Sequence, residues 1–151
     1  MNKYILIFLF FYIACDFQES NKHESLILNL IDDLNKSYTT EKLLERNFSF
    51  IQIKNDDDFQ NVVIPIYDEV IKMLKKNVKK KNITKNIKII KYKKDSPQFM
   101  KFKNVGENEF IYYVLTKDSL LFPVLFKENK IVSIITYKKN EMSEYSAFIK
   151  F

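Results

Sequence analysis

The chain has one glycine and three prolines among its 151 residues. Glycine tolerates positive φ and proline forces breaks, so the scarcity of both predicts long elements joined by turns of Asn, Asp and Lys. Gly106 stands alone, which excludes a glycine-rich phosphate cradle. Cys15 is the only cysteine and His23 the only histidine, so neither an internal disulfide nor a Cys/His zinc cluster is expected. No G-x-S-x-G elbow accompanies that single histidine, which removes the usual serine-nucleophile arrangement. Arg46 is the only arginine. Base and phosphate reading leans on arginine's forked donors, so nucleic acid is not an expected partner.

Apolar residues, by contrast, are plentiful. The hydrophobic fraction is 46%, with 14 Phe and 9 Tyr, enough for one packed domain rather than a disordered chain. Charge is unevenly placed. Residues 16–70 carry 12 acidic and 5 basic side chains, whereas residues 72–103 carry 13 lysines against Asp95 alone. Lysine, asparagine and isoleucine together are also the mark of AT-rich coding, so lysine abundance alone names no partner.

Asn2 and Lys3 open the chain, and the 11 residues Tyr4 to Ala14 form an unbroken apolar and aromatic run ending at Cys15. A bilayer-spanning helix needs about 20 apolar residues and an export signal roughly 7 to 15, so the run reads as an export signal. The stretch Tyr12-Ile13-Ala14-Cys15 resembles the lipobox of bacterial lipoproteins, with Tyr12 in place of the usual leucine. That resemblance implies that residues 1–14 are removed and that Cys15 is acylated as the new N-terminus. Two or more acyl chains give stable attachment where one does not. The expected address is the bacterial cell envelope, with the protein lipid-anchored to a membrane. Residues 15–24 read as a polar tether, which places His23 in solvent, and residues 25–151 as a single α+β domain.

From Ser25, a candidate cap, Leu26, Ile27, Leu30, Ile31 and Leu34 follow the helical period, with Asp32, Asp33 and Lys36 opposite. Thr39 or Thr40 can cap a short second helix carrying Leu43 and Leu44, followed by alternation at Phe48, Phe50 and Gln52. A long helical stripe runs from Phe59 to Val78, with Pro65 predicting a kink or a helix start. Aromatic and β-branched runs then predict strands over residues 83–92, 99–103, 110–116, 120–126, 131–137 and 145–151, paired through short polar turns as antiparallel hairpins. Pro123 predicts a bulge or an edge position. The fold class is therefore α+β, with N-terminal helices packed on a curved antiparallel sheet. In element order it resembles the nuclear-transport-factor-2-like superfamily, which implies a cone-shaped sheet; a cystatin-like arrangement is the alternative.

Candidate chemistry is sparse. Tyr67 and Asp68 are adjacent on the long helix, and neighbours there point about 100 degrees apart, so a shared site is not expected and Tyr67 reads as core. The Asp56, Asp57 and Asp58 triplet lacks the spacing, glycine and closing glutamate of a calcium loop and reads as helix capping. No metal or cofactor is expected. Lys75, Lys76, Lys79, Lys80, Lys81, Lys91, Lys93 and Lys94 form a candidate surface for an anionic partner, the alternative being a solvated face. The composite expectation is a non-enzymatic lipoprotein that binds a ligand or an envelope protein. The alternative is an immunity or inhibitor lipoprotein that neutralises a toxin or hydrolase.

Overall fold

His23, Ile27, Leu30, Ile31 and Leu34 lie on one side of a helix and are all buried. They belong to α1 (Lys3–Asn35), which is continuous through the stretch read as a tether and passes through Ser25 without capping there. Residues 16–24 contain neither glycine nor proline, so nothing local stops the helix once its inner face is packed. The computed structural model describes residues 3–49, 59–81, 86–94, 99–117, 119–138 and 145–150. The Asp56 to Asp58 triplet, Phe50 and Gln52 lie outside these residues. Among them, no helix is long and apolar enough to cross a membrane.

Thr39 caps α2 (Thr40–Asn47), its side chain accepting from the Lys42 amide at 3.3 Å, and Leu43 and Leu44 are buried. Phe48 then makes a single parallel bridge to Ile131. The third helical stretch begins as a π-helical segment, Phe59–Val63, and becomes α3 (Ile64–Lys81). Pro65 is the second residue of α3, consistent with a helix start. Its missing N–H and its ring's conflict with the carbonyl four residues back fit a wider turn just before it. Val63, Tyr67, Ile71, Leu74 and Val78 are buried, while Val62 and Ile66, from the same predicted stripe, remain exposed.

The strands are β1 (Ile87–Lys91), β2 (Lys101–Phe102), β3 (Glu109–Thr116), β4 (Ser119–Lys127), β5 (Lys130–Ser133), β6 (Thr136–Lys138) and β7 (Tyr145–Phe148). They make two sheets, ordered β1-β3-β4-β5 and β2-β7-β6. The expected hairpins form between β3 and β4, β4 and β5, and β6 and β7. The one expected around residues 105–108 does not: β3 pairs with β1, and β2 pairs in parallel with β7. The run 131–137, read as one strand, is split between the sheets. Ser133 Oγ accepts the Ile135 N–H at 3.1 Å, a local bond that competes with the ladder and turns the chain. Pro123 lies opposite Tyr113, two residues from a bulge in which Leu121 is skipped, and β5 pairs with β4 only from Leu125 onward.

Strand alternation places the larger sheet between two cores. Tyr112, Val114, Val124 and Phe126 face the helices with Leu30, Leu34, Tyr67 and Leu74. Ile111, Tyr113, Leu115 and Leu125 face the smaller sheet through Phe102 and Phe148. The molecule is thus α+β, with three helices packed against an antiparallel sheet that does not close.

Candidate functional site

At the end of the larger sheet where β1 and β3 pair, a cleft opens toward the smaller sheet. Tyr92 extends the pairing beyond β1 by donating its amide to Ile111 O at 2.8 Å, and its hydroxyl accepts the Phe102 amide at 3.3 Å. The Tyr92 ring meets Phe102 edge-on at 5.3 Å, and Phe102 stacks on Phe148 at 4.9 Å. Lys103 N–H donates to Ser146 O at 3.1 Å. These bonds fix the chain leaving β2 against β7 and so define the second wall.

The cleft has a volume of about 620 Å³ and is lined by Lys91, Tyr92, Lys94, Phe110, Phe102, Lys103 and Tyr145, among others. An adjoining lobe of about 380 Å³ shares Lys103, Asn104, Val105 and Glu109 with it. Asn104 adopts positive φ (59°), as do Lys117 and Glu128 in the hairpin turns, so in a chain with one glycine the left-handed positions fall to other residues. Two lysines of the lining lie over rings, Lys91 on the helix-facing side of the larger sheet, where Phe110 also meets the His23 ring at 5.4 Å. Lys91 Nζ lies 5.0 Å from the Phe110 centroid, and Lys103 Nζ 4.6 Å from that of Tyr145. Glu109 is the only carboxylate lining either lobe among the described residues. Its oxygens receive Lys150 Nζ at 2.7 Å and the Gly106 amide at 2.8 Å. Burial alone would raise its pKa, but these donors hold it below the usual carboxylate range. With that charge matched by Lys150, Lys94 and Lys103 add positive charge to the cleft lining.

The lysine run seen in sequence is divided by the fold. Lys91 and Lys94 line the cleft, and Lys93 is exposed nearby in sequence. Lys76 and Lys79 are exposed on α3, while Lys75 Nζ donates to Tyr38 O at 2.6 Å. The side chains of Lys80 and Lys81 lie outside the described residues. Lys103, the last lysine of the stretch over residues 72–103, joins Lys91 and Lys94, and Phe110 and Tyr145, which no local sequence pattern joins to Lys91, complete the lining.

Three other groups fall elsewhere. His23, expected in solvent, is fully buried between α1 and the sheet: Phe126 stacks on its ring at 4.2 Å, Nε2 donates to Glu128 O at 2.6 Å, and Nδ1 lies 3.2 Å from the Tyr112 hydroxyl. Its spacing of four residues from Ile27 was the available signal. Asp33, expected on the outer face of α1, is also buried, joining Lys36, Arg46 and Asn47 at 2.9 to 3.1 Å. Tyr67 is core, and burial pushes its phenol far above the ordinary value while the Ser133 hydroxyl opposes the shift. Asp68 turns outward to Thr40 and Lys72, so the adjacent pair shares no site. Among the described residues no group of three His, Cys, Asp or Glu side chains is placed to hold a metal ion. No family model, curated protein or solved structure matches the chain.

Proposed function

We propose that the chain is an exported lipoprotein, anchored to a membrane of the bacterial cell envelope by acyl chains on Cys15, whose domain binds a ligand or partner without transforming it. Support for the anchor is the apolar run from Tyr4 to Ala14 followed by Tyr12-Ile13-Ala14-Cys15. The observation that carries the binding half is the cleft between the two sheets. Its concavity and aromatic lining, with a few polar side chains among the rings, are the features of a binding pocket, an apolar surface with a small number of polar groups. The neutralised Glu109 acts there as a structural tie.

Metabolic labelling with an alkynyl fatty acid, in cells expressing the full chain or its Cys15→Ala variant, tests the anchor. Label on the wild type and none on the variant is the expected outcome. An unlabelled wild-type chain overturns the reading.

A further inference from the structure

Resting on the proposed binding role, we infer that the partner is an extended protein segment, alternately apolar and acidic, that pairs with the outer edge of β1 and adds a strand to the larger sheet. β1 stands at the end of the order β1-β3-β4-β5, and its register with β3 runs without a bulge from Ile87 to Lys91. Along an antiparallel strand, residues that bond to the neighbour alternate with residues whose N–H and C=O point the other way. The Tyr92 amide donates to Ile111 O at 2.8 Å, so Lys88 and Ile90 share its ladder, while the main-chain groups of Ile87 and Ile89 face the outer edge. Among the described residues none bonds to them there. With no proline and no bulge in β1, lysine is the guard left on this edge.

Side chains set the kind of strand that fits. Residues 86–94 carry four lysines and no acidic residue. Lys91 has contacts of its own, among them the Phe110 ring, which leaves the selecting charge to Lys88, Lys93 and Lys94, all exposed. Like charges directly opposite one another across a strand pair are destabilising and opposite charges stabilise. A second copy of β1 is therefore disfavoured at this edge and an acidic strand favoured. Ile87 and Ile89 are half-buried against the helix-side core, and alternation puts Lys88 on the other face. A segment alternating apolar and acidic residues lays its apolar side chains beside the isoleucines and its carboxylates beside Lys88. Past Lys91 the edge leads into the cleft, whose lining includes Tyr92 and Lys94, so the pocket receives a side chain from that end of the segment.

The test is fluorescence anisotropy with the full chain in a non-ionic detergent and three fluorescein-labelled, capped peptides of eight residues. One alternates valine with glutamate, the second is the same peptide N-methylated at two consecutive central residues, and the third alternates valine with lysine. The glutamate peptide binds more tightly than about 1 mM, and the other two bind at least roughly tenfold more weakly. Lys88→Glu weakens the glutamate peptide by roughly threefold or more, whereas Lys76→Glu, the same charge reversal on exposed α3, changes it less than about twofold. Amide exchange at Ile87 and Ile89 slows when the peptide binds. Circular dichroism confirms that each variant is folded.

Equal binding of the N-methylated peptide reduces the contact to charge without strand pairing and overturns the inference. So does equal binding of the lysine peptide, unchanged exchange at Ile87 and Ile89, an equal effect of Lys76→Glu, or binding of the glutamate peptide weaker than about 1 mM. Self-association that protects the Ile89 amide without any peptide assigns the edge to a second copy and likewise overturns it. Lipid labelling that succeeds while these titrations fail removes the strand partner and leaves the anchor standing; the converse removes the anchor and leaves the edge.

Discussion

Glu128 O can only accept, so the proton of neutral His23 sits on Nε2 and the Tyr112 hydroxyl donates to Nδ1. Burial is the main cause holding the His23 pKa below 6.5, with Lys91 and Lys22 adding to it, while the Glu128 carbonyl and Glu19 oppose. An imidazole buried neutral contributes its full stability above the ordinary pKa. That contribution falls as the pH drops from about 6.5 toward the lowered folded-state value, because the unfolded chain then binds the proton better. Thermal melts from pH 7.5 to 5 are expected to show this decline in the wild type. His23→Phe keeps the ring packing, leaves two polar partners unmet at a cost of about 1–3 kcal/mol at pH 7, and flattens that part of the profile. A variant that melts like the wild type at every pH contradicts the assignment. Asp33 has the opposite sign. Although burial would raise its pKa, hydrogen bonds from Arg46, Lys36 and Asn47 lower it below 3.8. Its stability is present above the ordinary value and lost as the pH falls through the folded one. Asp33→Asn is expected to cost roughly 1–3 kcal/mol in urea denaturation at pH 7, a gap that closes in acid as the wild-type carboxyl protonates. Neither role was legible from sequence. His23 lies 89 residues from Tyr112 and 105 from Glu128, and a polar residue between Lys22 and Glu24 reads locally as solvated.

Elements were more legible than their partners. Among the described residues, each strand from residue 87 onward falls within or overlaps one of the β-branched and aromatic runs, because packing on a pleated surface selects those side chains locally, although the run over 131–137 divides into β5 and β6. The division into two sheets was not visible, since it depends on the Ser133 hydroxyl capturing one backbone N–H. The smaller sheet hangs on long-range tyrosine bonds of the same kind. The Tyr113 hydroxyl donates to Met100 O and receives the Met100 amide at 3.3 Å, and the Tyr92 hydroxyl receives the Phe102 amide. Tyr113→Phe keeps the ring and removes both Met100 bonds, with an expected loss of about 1–3 kcal/mol. Faster amide exchange is expected in residues 99–103 and 145–148, with β3 and β4 unchanged. Uniform loss of protection across both sheets would contradict a separately hung smaller sheet.

In the whole molecule, the continuity of α1 alters the geometry of the proposed anchor. A flexible tether over residues 15–24 would let the domain roam. A helix from Cys15 to His23, pinned at His23 to the sheet, places Cys15, the proposed acylation site, about 12 Å along the axis from that contact. Under the proposed anchor, the domain would be held close to the membrane in a restricted orientation. Charge counting located a lysine-rich stretch but missed the cleft, because the fold sends its lysines to different faces and adds Phe110 and Tyr145 to the lining from elsewhere in the chain. The proposed address, in contrast, rests on consecutive residues alone, Tyr4 to Cys15.

Intact-mass spectrometry of the chain extracted from the membrane fraction tests that address most directly. The account predicts a chain beginning at Cys15 and heavier than its amino-acid mass by a diacylglyceryl group and any amide-linked acyl chain. A membrane-extracted chain that retains residues 1–14, or that begins at Cys15 with a free thiol, contradicts it.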